Sequence, residues 1–102
     1  MYTWTRVIRF KNVTSMMAAM PICVSIVEYM RKELSQDVSL LTPSLGGHPA
    51  RALFVVKGPD VGKNLIAMDM AAQDARYRDL VGKLSEHVDG SATNDQTWKT
   101  VV

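Results

Sequence analysis

The chain has 102 residues, 47% of them hydrophobic and 22% charged, with 12 Lys+Arg against 10 Asp+Glu and a single cysteine. This length supports one small core rather than two domains, and a lone cysteine permits no internal disulfide, so a reduced cytoplasmic setting is expected. A net charge of +2 on scattered basic residues offers no surface for nucleic acid, and the first residues lack the basic-then-apolar order of a signal peptide.

Residues 2–11 alternate. Tyr2, Trp4, Arg6, Ile8 and Phe10 form one face and Thr3, Thr5, Val7, Arg9 and Lys11 the other, which is strand periodicity with the first face toward a core. Asn12 punctuates, and Thr14 or Ser15 is placed to cap a helix. Met16, Met20, Cys23, Val27, Met30 and Leu34 then recur at steps of four and three, one stripe of a helix running to about residue 34. Met17, Ile22, Val24 and Ile26 make its first half apolar on nearly all sides, so that half needs cover on more than one side. Pro21 lacks a backbone donor and crowds the carbonyl of Met17, which predicts a kink or a restart of the helix. The apolar run over 16–27 is shorter than the roughly 20 residues of a membrane span, so no membrane partner is expected.

Residues 37–41 suit a short strand, and 42–49, with two prolines and two glycines, a bend or loop. Leu53-Phe54-Val55-Val56 is an apolar run of strand length. Leu65-Ile66-Ala67-Met68 reads as its hairpin partner across a turn at 58–63, with the opening of the next helix as the alternative. Asp69 is placed to cap that helix. Met70, Tyr77, Leu80, Val81, Leu84 and Val88 mark one of its faces, Asp74 and Arg78, like Asp79 and Lys83, are spaced for a solvated one, and Gly90 is a stop. A polar connection over 91–95 leads to a last strand at 96–102. The order gives an α+β fold in one domain spanning 1–102: an antiparallel sheet with two helices on one face, the ferredoxin-like sandwich.

Three local patterns then stand out: Leu41-Thr42-Pro43 followed by Gly46-Gly47, a segment running into Asp69-Met70-Ala71-Ala72 and an amphipathic helix ending near Leu84, and Asp89-Gly90-Ser91 through Trp98-Lys99-Thr100-Val101. In these and in its element order the chain resembles the dimeric α/β-barrel superfamily, especially its NIPSNAP-like and antibiotic-biosynthesis-monooxygenase-like domains. The resemblance implies a homodimer that joins two sheet faces into a barrel, and a small-molecule pocket between each sheet and its helices. Dimerisation also fits the sequence itself, because a sheet with only two helices leaves one face in need of water or a partner. The cofactor-free oxygenases of the superfamily use asparagine and tryptophan near the substrate, and its haem-degrading members add a histidine on the second helix. This chain departs from both patterns, with Arg6, Val7 and Ile8 in mid-strand and His87 where it suits a helix end better than a haem iron.

Arg6 interrupts the apolar series Trp4, Ile8, Phe10, and a guanidinium there must be paired or reach water. It is a candidate holder of a ligand carboxylate or enolate, with Trp4 and Tyr29 as pocket walls. The structural alternative is a pair with Glu28, Glu33 or Asp37, or a side chain that snorkels to water near the strand edge, and a carboxylate already on Arg6 counts against the ligand role. His48, in a Gly-Gly-His-Pro loop near Arg51, is a candidate acid/base group, with Arg51 as a second ligand contact. The histidines and the cysteine lie too far apart in sequence to signal a metal site, and no cofactor is expected. Cys23 belongs to the buried stripe and is read as core. Gly58-Pro59-Asp60-Val61-Gly62-Lys63-Asn64 has the wrong glycine spacing for a phosphate-binding loop, carries Asn64 where Ser or Thr would touch magnesium, and is expected to precede a strand rather than a helix.

The sequence thus supports a cytoplasmic homodimer binding a small apolar or aromatic molecule, either as a cofactor-independent monooxygenase, isomerase or cyclase or as a non-catalytic binding or structural module. In the second reading the apolar first helix mediates further oligomerisation.

Overall fold

The computed structural model describes residues 1–43, 50–90 and 94–102. The alternating segment forms β1 (Tyr2–Arg9), which lies inside the sheet rather than at its edge. A helix α1 (Val13–Glu33) follows, then β2 (Asp37–Leu41), β3 (Arg51–Gly58), two helices α2 (Val61–Gln73) and α3 (Ala75–Ser85), and β4 (Asn94–Lys99). The four strands run in the order β2-β3-β1-β4, every neighbouring pair antiparallel, as the ferredoxin-like sandwich requires. The sheet is open, with β2 and β4 as its edges.

One face of the sheet carries the core. Ile8 of β1 and Phe10 just beyond it share a face with Ala52, Phe54 and Val56 of β3 and Val38 of β2, and all are buried against Ala19, Cys23, Ile26, Val27 and Met30 of α1 and Leu84 of α3. Each larger apolar side chain fully removed from water here contributes about 1.5–3 kcal/mol. The stripe read from the sequence is therefore the packed face of α1, widened by Ala19 and Ile26. Arg31 ties the helix to the neighbouring strand, its Nε and a terminal nitrogen donating to the Val38 carbonyl at 3.0 and 2.7 Å.

Several expectations change at this level. The cap of α1 is Asn12, whose Oδ1 accepts from the Ser15 amide at 2.7 Å, rather than Thr14 or Ser15. Pro21 neither ends nor restarts the helix; it sits exposed within one continuous 21-residue element, where water can reach the carbonyl it leaves unpaired. By length and composition alone that helix could span a membrane, because it continues beyond the apolar run that the sequence reading measured. In the fold its buried stripe meets the sheet, while Met17 on the outer side remains 71% exposed.

Leu65-Ile66-Ala67-Met68 is helical, not the hairpin partner of β3. Asp60 starts α2 by accepting from the Gly62 amide at 2.8 Å, and the Leu, Ala and Met residues that follow favour a helix. A helix thus does follow Gly58, which removes one of the three grounds against a phosphate loop; the glycine spacing and Asn64 still argue against it. The partner of β3 is β2, with Leu41 opposite Leu53 and Val38 opposite Val56. Asp69 lies inside α2, and Asp74 ends that helix and caps α3, so three helices replace the expected two. Helix α3 stops at Ser85 without Gly90, and Val88 instead bridges to Phe10. The last strand starts at Asn94, two residues earlier than expected.

Candidate functional site

Where β3 ends at Gly58, the chain turns away into α2, and of that helix only Ala71 is buried. The start of α2 consequently stands off the sheet and leaves a cleft of about 440 Å³ beside the first residues of β1 and the turn after α1. Tyr2, Trp4, Leu34, Val56, Val61 and Ala67 give it apolar and aromatic walls. Its size falls within the range of small-molecule sites, roughly 300–1,000 Å³. The charged residues Asp37, Lys57, Asp60 and Lys63 also line it, and two amides enter from opposite elements, Gln36 from the turn and Asn64 from the first turns of α2, joined by a 2.6 Å bond from Gln36 Nε2 to Asn64 Oδ1. Ser35, with φ of 51°, directs the chain there, and the Gln36 amide donates back to the Met30 carbonyl at 3.2 Å.

Trp4 also borders a narrower niche of about 60 Å³ deeper between sheet and helices, lined by Arg6, Tyr77 and apolar side chains including Ile8, Met30 and Phe54. Arg6 enters this niche already paired. Its Nε and one terminal nitrogen bond both carboxylate oxygens of Asp95 at 2.7 Å, and its guanidinium lies 5.1 Å from the Trp4 ring centre. The hydrogen bond to Asp95 raises the Arg6 pKa against the opposing effect of burial. The partner is Asp95, not Glu28, Glu33 or Asp37. Burial likewise raises the Tyr77 phenol.

Tyr29 faces neither space. Its hydroxyl donates to Asp74 Oδ2 at 2.9 Å, its ring lies 5.4 Å from that of Tyr77, and Arg76 sits over it while bonding Asp74 at 2.9 Å. These partners hold the Asp74 carboxyl well below the usual range, the Arg76 side-chain hydrogen bonds first. Arg51 pairs in register with Arg9 and lines a hollow with Val7, Leu41 and Leu53 on the opposite face of the sheet. His48 lies outside the described residues. The fold therefore brings Arg6 and Trp4 together and places Tyr29 and Arg51 elsewhere.

Gln36, Asn64, Tyr77 and Asp95 were not among the residues nominated from sequence. Arg6 and Asp95 are separated by 89 positions, and no local spacing links them. Parity was the available signal: a strand begun at Asn94 puts Asp95, Thr97 and Lys99 on the face of Tyr2, Trp4 and Arg6. Among the described residues no three histidine, cysteine, aspartate or glutamate side chains are grouped to hold a metal ion.

Neither a family model nor a curated protein sequence matches the chain. Solved structures do. An antibiotic biosynthesis monooxygenase superposes with a TM-score of 0.77 at 17% identity, covering 100% of both chains. A NIPSNAP family protein from Agrobacterium tumefaciens gives 0.82 at 10% identity over 98% of this chain and 92% of that one. SnoaB, a cofactor-independent oxygenase from Streptomyces nogalater, gives 0.71 at 6% identity over 97% and 91%. At such identities the likeness establishes architecture: the chain has the ferredoxin-like α+β fold seen in these antibiotic biosynthesis monooxygenase and NIPSNAP structures.

Proposed function

We propose that this chain is one subunit of a homodimer in which each subunit binds a small, largely apolar molecule in the cleft between its sheet and helices. The cleft itself carries this reading: about 440 Å³ walled by Tyr2, Trp4, Leu34, Val56 and Val61. Dimerisation is supported by the sheet face away from the helices, where Val7, Leu53 and Leu41 lie side by side in register and Trp98 is exposed. Apolar side chains in such a row favour a partner sheet over water.

The reading stops at binding. Two fold neighbours are named as a monooxygenase and an oxygenase, and oxygenation is the chemistry such a cleft would host. Here, however, Arg6 is spent on Asp95 and faces the smaller niche, so the anion holder expected from the sequence lies outside the cleft, whose charged lining is Asp37, Lys57, Asp60 and Lys63.

The test is titration of the purified protein with naphthalene, followed by tryptophan fluorescence. Saturable binding at one molecule per chain is expected, with loss in Ala67→Trp, which fills the cleft from α2 without touching the core. Absence of saturation, or undiminished binding in a folded Ala67→Trp variant, would remove the cleft from consideration.

A further inference from the structure

The walls of the cleft explain an apolar ligand but leave its polar end unused. Gln36 and Asn64 share a single hydrogen bond. Gln36 Oε1 is shut off from solvent yet accepts no bond from any described residue, and Asn64 Nδ2 donates none. Two carboxamides together offer acceptors and four N–H donors, so most of this capacity is unspent at the wall of a cavity. A buried acceptor without a donor carries a desolvation cost in the free protein, and a ligand that supplies the donor recovers it. The terminal torsion of glutamine is broad and roughly two-fold, so the Gln36 amide can turn its oxygen toward a ligand without backbone movement, exchanging its bond to Asn64 Oδ1 for one to the ligand. Tyr2 and Trp4, which border the same space, supply ring surface for a planar body.

We infer that the cleft takes a neutral planar lactam, a ring with an N–H beside a C=O, whose N–H donates to Gln36 Oε1 and whose carbonyl accepts from the Asn64 amide. The inference rests on the binding role proposed for the cleft and names its ligand class. A lactam edge presents one donor and one acceptor side by side, which is the complement of the two amides. A hydrocarbon leaves both unpaired. No covalent step is involved.

Three probes of similar shape separate these cases by calorimetric titration: 2-quinolone, which has the lactam edge, 1-methyl-2-quinolone, which lacks its N–H, and naphthalene, which lacks both groups. The lactam is expected to bind at least about tenfold tighter than naphthalene, the difference two hydrogen bonds supply in a partly buried site, and roughly threefold or more tighter than the methylated probe, which loses one. Gln36→Leu should erase that preference. Asn64→Ala, on the first turns of α2, should weaken the preference independently should the leucine variant not fold. Equal affinity for all three probes, or a preference that survives both substitutions, would overturn the lactam assignment while the cleft stands as an apolar site. No binding by any probe, naphthalene included, would overturn the cleft reading and the lactam assignment with it.

Discussion

Arg6 and Asp95 are direct cross-strand partners of β1 and β4, and the guanidinium closes on the carboxylate with two bonds of 2.7 Å. The pair joins an interior strand to an edge strand none of whose residues is buried. It therefore anchors β4 by charge where apolar packing is thin. With the two side chains 37% and 42% exposed, solvent screens much of the attraction. A double-mutant cycle of Arg6→Met and Asp95→Ala, read by urea denaturation, is expected to give a coupling of about 0.5–1 kcal/mol that shrinks in 1 M salt. A coupling of about 3 kcal/mol or more would mark a desolvated pair and contradict the exposed geometry.

Asp74 does three things at once: it caps α3, accepts from Tyr29, and pairs with Arg76. Its folded-state pKa is depressed, so its ionised form stabilises the fold above the ordinary aspartate value near 4, and that contribution is lost as pH falls through the lower folded value. Asp74→Asn keeps a capping oxygen but cannot ionise. Its stability should therefore fall less steeply than that of the parent below about pH 4 in acid titrations followed by circular dichroism. An unchanged acid limb would show that the carboxylate is not coupled to folding.

Ser35 holds a left-handed backbone at the exit of α1, with φ of 51°. A side chain pays a steric cost there that glycine avoids. Ser35→Gly is expected to stabilise the protein by about 0.5–1 kcal/mol in thermal or urea denaturation. A loss of stability would mean that the serine side chain contributes more than the strain costs.

Leu53 lies between Val7 and Leu41 on the face of the sheet turned away from the helices. If two such faces meet, a carboxylate at this position would be buried against apolar side chains of the partner. Leu53→Asp should convert a dimer to monomer in light scattering while leaving the far-ultraviolet circular dichroism intact. A dimer that persists in this variant would exclude this face as the interface.

Cys23 has no exposed surface, and burial pushes its thiol up to about 11. Because the folded state retains the proton, the contribution is complete below the ordinary thiol value near 8.5 and is lost as pH rises through about 11. Labelling by a disulfide reagent at pH 8 should proceed only as fast as the protein opens, and accelerate sharply in denaturant. Immediate labelling of the native protein would contradict the burial.

Much of the architecture is legible in residue order. Alternation over Tyr2 to Phe10 places β1 and its core face, and the four-three steps from Met16 to Leu34 place α1, because each element's burial repeats with its own backbone period. The run from Gly58 to Ala72 is where that reading divides. Four apolar residues in succession have no distinguishing period, and the side chain of Asp60, bonded to the Gly62 amide, sets the helix start that makes Leu65 to Met68 helical. The candidate site is less legible still. Trp4 borders the cleft, but Gln36 and Asn64 belong to separate elements and meet only because the turn at Ser35 and the stand-off of α2 bring them within 2.6 Å.

The sequence by itself determined the single α+β layer pair, the buried stripe of α1 and a sheet face left without helices, since these follow from local periodicity and from counting elements. Only the tertiary structure decided that Arg6 belongs to Asp95, that Tyr29 belongs to Asp74, and that the open cleft lies beside two under-bonded amides. The reason is that ion pairs and cavities depend on which distant segments share a register or a gap, and no periodicity within one segment encodes that.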